Sequence, residues 1–213
     1  VIVNPKSRLP WLIGFMGVPA AYAGVLVPLR ESGSMLPQLA IAAWIRNAPV
    51  RKGFFVLGAL LQGVATLGLA VSALTLRDHA GGLAIIGCVA LFSLARGLCS
   101  IAQKDVLGKT VPKAQRGTAT GIASSVAGAF AIAVAAVLWV TEESTTRYFL
   151  LLLAGFGAWL GAAGAFALID EYAGATEGGR NALQDALQRL SMVRDDPVFR
   201  HFLIARTLLM SSA

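Results

Sequence analysis

The chain has 213 residues, of which 56% are hydrophobic and only 14% are charged. Its mean hydropathy is +0.70, and a soluble domain of this size cannot bury so much apolar surface. The composition therefore excludes a disordered chain, a secreted disulfide scaffold and an ordinary cytosolic enzyme, and it predicts an integral membrane protein. The net charge of +7 is typical of cytoplasmic loops in membrane proteins and does not require a nucleic-acid partner.

Long apolar runs predict the membrane spans, because a helix needs about 20 such residues to cross the hydrocarbon core of a bilayer. The run at 33–45 is short and contains Pro37, but the charge distribution described below requires it to cross. The sequence thus predicts an all-α, multi-pass helical bundle. The six predicted spans are 11–29, 33–45, 54–76, 83–103, 118–140 and 148–169.

The residues after the sixth span form the one long hydrophilic stretch, 170–196. Within it, the apolar spacing over 180–193 predicts an amphipathic linker helix that lies at the membrane surface. Residues 197–213 are expected to begin a seventh span. Because the chain starts at Val1 and stops inside this apolar run, we expect it to be a fragment of a longer protein.

Lysine and arginine predict the orientation, since they concentrate in cytoplasmic loops. With a cytoplasmic N-terminus, thirteen cationic residues fall on the inner side, whereas Arg30, Arg77 and Arg147 fall outside. We therefore expect a plasma or inner-membrane protein with its N-terminus in the cytoplasm. The thirteen residues are Lys6, Arg8, Arg46, Arg51, Lys52, Lys104, Lys109, Lys113, Arg116, Arg180, Arg189, Arg194 and Arg200.

Glycines at four-residue spacing mark two of the predicted spans. Gly117 and Gly121 precede Gly128 in the fifth span, and Gly157 and Gly161 lie in the sixth. Such spacing lets helix backbones approach closely in lipid. It favours a packed bundle over a single membrane anchor, but it does not indicate a function.

Two inner loops carry recognisable motifs. The segment from Arg46 to Gly53 contains the basic pair Arg51-Lys52, with Asn47 where an Asp is usual and Val50 in place of Gly. Three segments resemble the major facilitator superfamily. They are the loop at 46–53, the Arg and small residues at 94–102, and the Pro and Arg-Gly pattern at 111–121. The resemblance covers the whole chain as the N-terminal six-helix half of a twelve-span protein.

This resemblance implies a secondary transporter that moves a small solute by alternating access. The fifth span lacks the Gly-Pro pair of many drug–proton antiporters in the superfamily, which argues against that subclass. The implied partners are the solute, a coupling ion, the lipid bilayer and the C-terminal six-helix half. The implied conformational gate comprises Asn47, Arg51, Lys52, Arg116 and Gly117.

Arg96 is the strongest candidate for a substrate or coupling residue. It lies well inside the predicted fourth span, where a charge is costly unless it faces a wet cavity or a partner. A transport role requires such a cavity. The alternative is a packing arginine whose guanidinium binds backbone carbonyls near the inner surface.

Arg30 and Glu31 form a second candidate site, with Gln38 one or two helical turns further on. Pro28 and Pro37 bracket them, and transporters place binding sites where helices are broken near charges. The alternative is a pair of ordinary outer-loop charges. Arg206, in the predicted seventh span, is either a matching intramembrane charge or a boundary residue.

The six predicted spans contain no Asp, Glu, His or Lys, so proton coupling through a buried carboxylate requires Glu31 or the missing half. His79 and His201 fall on opposite sides of the membrane, so no metal site is predicted. No nucleotide-binding loop is present, and we expect neither a cofactor nor enzymatic activity. The alternatives to transport are a membrane scaffold or sensor and, less favoured, a lipid-modifying membrane enzyme.

Overall fold

The structure is a computed structural model that describes residues 8–35, 38–140, 144–174, 176, 196–198, 200, 201, 204 and 205. Throughout this part of the chain the regular structure is helical, with no β-strand. A single 3₁₀ turn, Lys113–Gln115, precedes α6. The helices are α1 Arg8–Phe15, α2 Ala21–Met35, α3 Gln38–Arg46, α4 Lys52–Thr75, α5 Asp78–Thr110, α6 Arg116–Val140 and α7 Thr145–Ala167.

Four of these helices, α4 to α7, are long and apolar enough to cross a membrane. This finding indicates a membrane protein and agrees with the all-α class expected from composition. Helix α5 has 33 residues and extends beyond the predicted span 83–103 at both ends. Its last turns are polar, and an ion pair between Asp105 and Lys109, four residues apart, supports their helical conformation.

The predicted span 11–29 is interrupted between α1 and α2. Gly17 adopts the left-handed conformation, with φ of 69°, which glycine reaches without steric cost. The Val18 N–H donates to Ile13 O and the Gly17 N–H donates to Gly14 O, the two hydrogen bonds of a Schellman motif. Pro19 follows, and it disfavours a helical conformation at the residue before it. The chain therefore turns at 16–20.

Helices α2 and α3 follow one another along α5. At the start of α2, the Tyr22 hydroxyl lies 3.1 Å from His79 Nδ1. Beyond the end of α3, Arg51 pairs with Asp105, close to the other end of α5. The two helices thus run in the same direction as α5, from one end of the bundle to the other.

The position of Arg30 and Glu31 differs from the expectation of an outer loop between two spans, since both lie inside α2. The predicted spans 11–29 and 33–45 therefore do not coincide with the helices. The helix continues past these charges, and through Pro28, because a continuous hydrogen-bonded backbone is favourable wherever water is absent.

The centre of the bundle is α4, which packs most extensively against α5 and α7. A Cβ atom added at Gly58 would lie 2.6 Å from Cys99 Sγ and 3.0 Å from Ala95 O, so this glycine permits the close contact of α4 with α5. The apolar core joins five helices: α1, α2, α4, α5 and α7. Its largest fully buried side chains include Leu9, Leu12, Leu26, Leu69, Ile85, Val89 and Leu152.

Helix α6 has no buried residue. A Cβ atom added at Gly117, Gly121, Gly157 or Gly161 would meet nothing within 4 Å, and the same holds for Gly128. The spacing of these glycines predicted helix packing, but among the described residues the close approaches occur at other glycines. Spacing identifies a face that allows close packing, whereas the arrangement of the helices decides which faces meet.

The bundle has two chemically different ends. The basic end comprises residues 46–52, 104–116 and 168–174, and the His79 end comprises residues 16–20, 76–80 and 144–147. The predicted linker helix at 180–193 lies outside the described residues, as does most of 197–213. The cations of the basic end are Arg46, Arg51, Lys52, Lys104, Lys109, Lys113 and Arg116, whereas those of the His79 end are Arg77 and Arg147.

Candidate functional site

A cavity of about 420 Å³ lies among the long helices, which is within the usual size range for small-molecule sites. Helices α2, α4, α5, α6 and α7 all contribute to its wall. Arg30 from α2 and Arg96 from α5 are its charged lining residues in the described part of the chain. The structure thus brings together, on the wall of one cavity, two arginines that are 66 positions apart in the sequence.

Arg96 is exposed to this cavity. No hydrogen bond or ion pair joins its guanidinium to any described residue. The backbone-carbonyl contacts expected of a packing arginine are therefore missing among the described residues. Every N–H of this guanidinium remains available to water or to a bound molecule, and an arginine has five of them.

Two polar residues of α4 lie beside the arginines on the cavity wall. Gln62 is 1% exposed and donates from Nε2 to Cys99 Sγ at 3.2 Å. Thr66 is fully buried, and its hydroxyl donates to Gln62 O at 2.7 Å. Neither residue was predicted as a site residue, although Gln62 is the first polar residue to interrupt the apolar run of the third predicted span.

The rest of the cavity wall is apolar and partly aromatic. Phe92 and Trp159 meet edge to face, with ring centroids 5.8 Å apart and an angle of 75° between the planes. Helix α6 presents Ala127, Phe130 and Val134, whose three- and four-residue spacing places them on one helix face. A molecule bound here would meet two cations and several apolar surfaces.

Three other predicted site residues are not placed in detail. The backbones of Glu31 and Gln38 belong to α2 and α3, but their side chains lie outside the described residues. Arg206 is outside the described part of the chain altogether. The relation of these residues to the cavity stays a prediction.

The basic end holds a second cluster of charges, centred on Glu171. The Glu171 side chain has no exposed area and accepts a hydrogen bond from Lys109 Nζ at 2.8 Å. Its two oxygens accept from the Arg51 N–H at 2.9 and 2.8 Å, and the Lys52 N–H also donates to it. The carboxylate thereby satisfies N–H groups at the start of α4 that have no partner within the helix.

The same cluster extends to α5 and α3. The Arg51 guanidinium forms an ion pair with Asp105, and its Nη2 donates to Arg46 O at 3.3 Å. Lys109 also lies 3.0 Å from Asp105 Oδ2. The segment after α7 is thus tied to the loop before α4 and to the last turns of α5.

Burial by itself would raise the pKa of the Glu171 carboxyl. The hydrogen bond from the Lys109 ammonium, the backbone N–H donors of Arg51 and Lys52 and the charge of Lys109 outweigh this effect, and they hold the pKa below its usual value of 4.5. Glu171 is therefore ionised at neutral pH and forms an ion pair with the Lys109 ammonium.

The other predicted gate residues take different positions at this end. Lys52 Nζ donates to Ala167 O at 3.1 Å and to Ile169 O at 2.8 Å, which caps the C-terminus of α7. Arg116 donates to carbonyl oxygens at the end of α5, Gly108 O and Val111 O. Asn47 is exposed, and Gly117 has open space around it.

The predicted gate thus included Arg51 and Lys52 of this cluster, but not Lys109 or the two acids. Lys109 had been counted only as one of thirteen inner-side cations, and no role had been predicted for Asp105 or Glu171. The available signal was the position of both carboxylates beside the predicted basic loops. Sequence alone does not bring residues 51, 105 and 171 to one place.

The described residues contain no group of three or more His, Cys, Asp or Glu that could hold a metal ion. Comparison of the chain with protein families, curated proteins and solved structures finds no significant match. The class of protein therefore follows from its own features, which are those of a helical membrane protein with a cavity whose wall carries two arginines.

Proposed function

We propose that this chain is the N-terminal half of a major facilitator superfamily transporter and that it moves a small solute by alternating access. The single observation that carries the proposal is the cavity with Arg96 in its wall. A charge at membrane depth is costly unless it faces water or a partner, and such residues typically mark transport pathways. A membrane scaffold or sensor has no need of such a residue.

The charge difference between the two ends supports the orientation in this proposal. The basic end carries most of the described lysines and arginines, as expected for a cytoplasmic face. In this orientation α2 and α3 together make one crossing, and the turn at 16–20 lies outside. Arg30, which was counted as an outer-loop cation, belongs to the membrane interior.

The Glu171 cluster supports a gating role for the basic end. It ties together the ends of α3, α4, α5 and α7, so these helices would move as one body during a conformational change. The glycine-bearing faces of α6 and α7 have open space around them, which fits helices that pack against a second half of the transporter.

The first experiment measures solute uptake by proteoliposomes that contain the full-length protein. A panel of radiolabelled organic acids, sugars and amino acids identifies a transported solute. Arg96→Ala should then remove most of the initial uptake rate per inserted protein. Arg77→Ala, at the exposed His79 end, is the matched control and should transport normally. Normal uptake by Arg96→Ala would contradict a role for this arginine in the pathway.

The second experiment tests alternating access without knowledge of the substrate. Cys88 and Cys99 are first replaced by Ala, and a single cysteine is introduced by Ala127→Cys, on the cavity face of α6. Membrane-impermeant thiol reagents should label this position from either side of the membrane. Ile132→Cys is the control, since Ile132 lies on α6 outside the cavity lining. Its exposed surface would face lipid or the second half of the transporter, so this position should resist labelling. Labelling of position 127 from one side only would favour a scaffold or sensor.

A further inference from the structure

The charge balance of the cavity limits what it can bind. Arg30 and Arg96 line it, and no aspartate or glutamate is found among its described lining residues. Cationic groups on the wall of a cavity attract an anion and repel a second cation. The charge of the bound group should therefore be negative.

The state of Arg96 supports this conclusion independently. Several cations near helix ends donate to carboxylates or carbonyls, as Lys52, Lys109 and Arg116 do. Arg96 makes no such bond to a described residue. A planar guanidinium with open donors matches the two oxygens of a carboxylate or phosphate, which it can bind through two parallel hydrogen bonds.

The shape and lining of the cavity restrict the rest of the ligand. Phe92, Phe130 and Trp159 present aromatic surface, and buried apolar contact of this kind contributes most of the affinity for a small organic molecule. The cavity of about 420 Å³ is larger than an inorganic anion needs. Gln62 and Thr66 line one wall, but both side chains are buried and already hydrogen-bonded within the protein.

We propose that this cavity binds an amphipathic organic anion, with its carboxylate or phosphate at Arg96 and its apolar body against Phe92, Phe130 and Trp159. This inference rests on the proposed function, because it names the substrate class of the same site. Two sources carry this chemistry, namely a dissolved aryl or alkyl acid and the headgroup of an anionic lipid.

The test measures binding by isothermal titration calorimetry, with the full-length protein in nanodiscs of zwitterionic phosphatidylcholine. The probe is 3-phenylpropionate, compared with its neutral amide, its amine analogue and propionate. The acid should bind at millimolar or lower concentration, the amide and propionate more weakly, and the cationic amine not at all. Equal binding of acid and amide would overturn the charge argument, and absence of acid binding would overturn the site.

Variants locate the bound anion within the cavity. Arg96→Gln and Arg96→Ala should each weaken binding of 3-phenylpropionate roughly 10- to 100-fold, the range expected for lost hydrogen bonds to a charged group. Arg96→Lys should retain part of the affinity. Arg77→Gln is the matched control and should bind normally. Thermal unfolding checks the fold of each variant, and unchanged binding by a folded Arg96→Gln protein would contradict the proposal.

Two further measurements separate the sources of the anion and the two proposals. If 3-phenylpropionate binding weakens when phosphatidylglycerol is added, and only with Arg96 intact, the occupant is a lipid headgroup; if it does not, a dissolved acid is favoured. Both results support an anion site. Arg96-dependent binding without uptake would support this inference and contradict transport. Uptake of a neutral solute that is insensitive to Arg96→Gln would support transport and contradict the anion site.

Discussion

The cluster at the basic end depends on the carboxylate of Glu171, and Glu171→Ala should destabilise the protein measurably. The substitution removes the acceptor for the N–H groups of Arg51 and Lys52 and for the ammonium of Lys109. Lys109 keeps two other partners, Asp105 at 3.0 Å and Pro49 O at 3.2 Å. The two backbone N–H groups have no described alternative acceptor, because they lie at the start of α4, where the helix provides none.

The size of the effect follows from these three lost bonds. An unsatisfied buried N–H costs about 1 kcal/mol at the lower limit, which we take for each of the two backbone groups. The ammonium bond adds about 1 kcal/mol, since Lys109 retains a second acid. We therefore expect Glu171→Ala to lower the free energy of unfolding by about 3 kcal/mol. Glu171→Gln, which keeps one acceptor oxygen, should have an intermediate effect.

Reversible unfolding of the detergent-solubilised protein, followed by circular dichroism, provides the measurement. Asp170→Ala is the matched control, because Asp170 is the neighbouring carboxylate, is exposed and makes no bond to a described residue. It should change stability by less than about 0.5 kcal/mol. If Glu171→Ala and Asp170→Ala have the same effect within that margin, the assignment of Glu171 as the centre of the cluster is wrong.

Three further predictions concern pH and backbone geometry. Folding lowers the pKa of Glu171, so the ionised carboxylate stabilises the folded protein fully above its usual pKa of 4.5. This contribution is lost as pH falls through the lower pKa of the folded state. Wild type and Glu171→Gln should therefore converge in stability under acid. Gly58→Val should lower stability by about 1–3 kcal/mol in the same unfolding assay, through contact with Cys99, whereas Gly87→Val, in open space, should not. Gly17→Ala should cost about 1 kcal/mol because of its left-handed φ, and Gly14→Ala should be neutral or stabilising.

The sequence by itself determined the membrane class and three of the long helices. Predicted spans at 54–76, 118–140 and 148–169 lie within about three residues of α4, α6 and α7 at each end, because the length of an apolar run is a local property that the bilayer thickness fixes. The turn at 16–20 has a signal in the sequence, Gly17 followed by Pro19. The prediction of one span over 11–29 used only the length of the apolar run and did not take this signal into account.

Only the tertiary structure decided which charges meet. Arg30 and Arg96 share a cavity, and Arg51 lies with Asp105 and Glu171, because helices distant in sequence pack side by side. Hydropathy does not encode that packing, since in lipid every apolar face is equally acceptable and helix partners are selected by shape and polar contacts. For the same reason Gly58 lies at a helix contact, whereas Gly117 and Gly121, with their recognisable spacing, face open space.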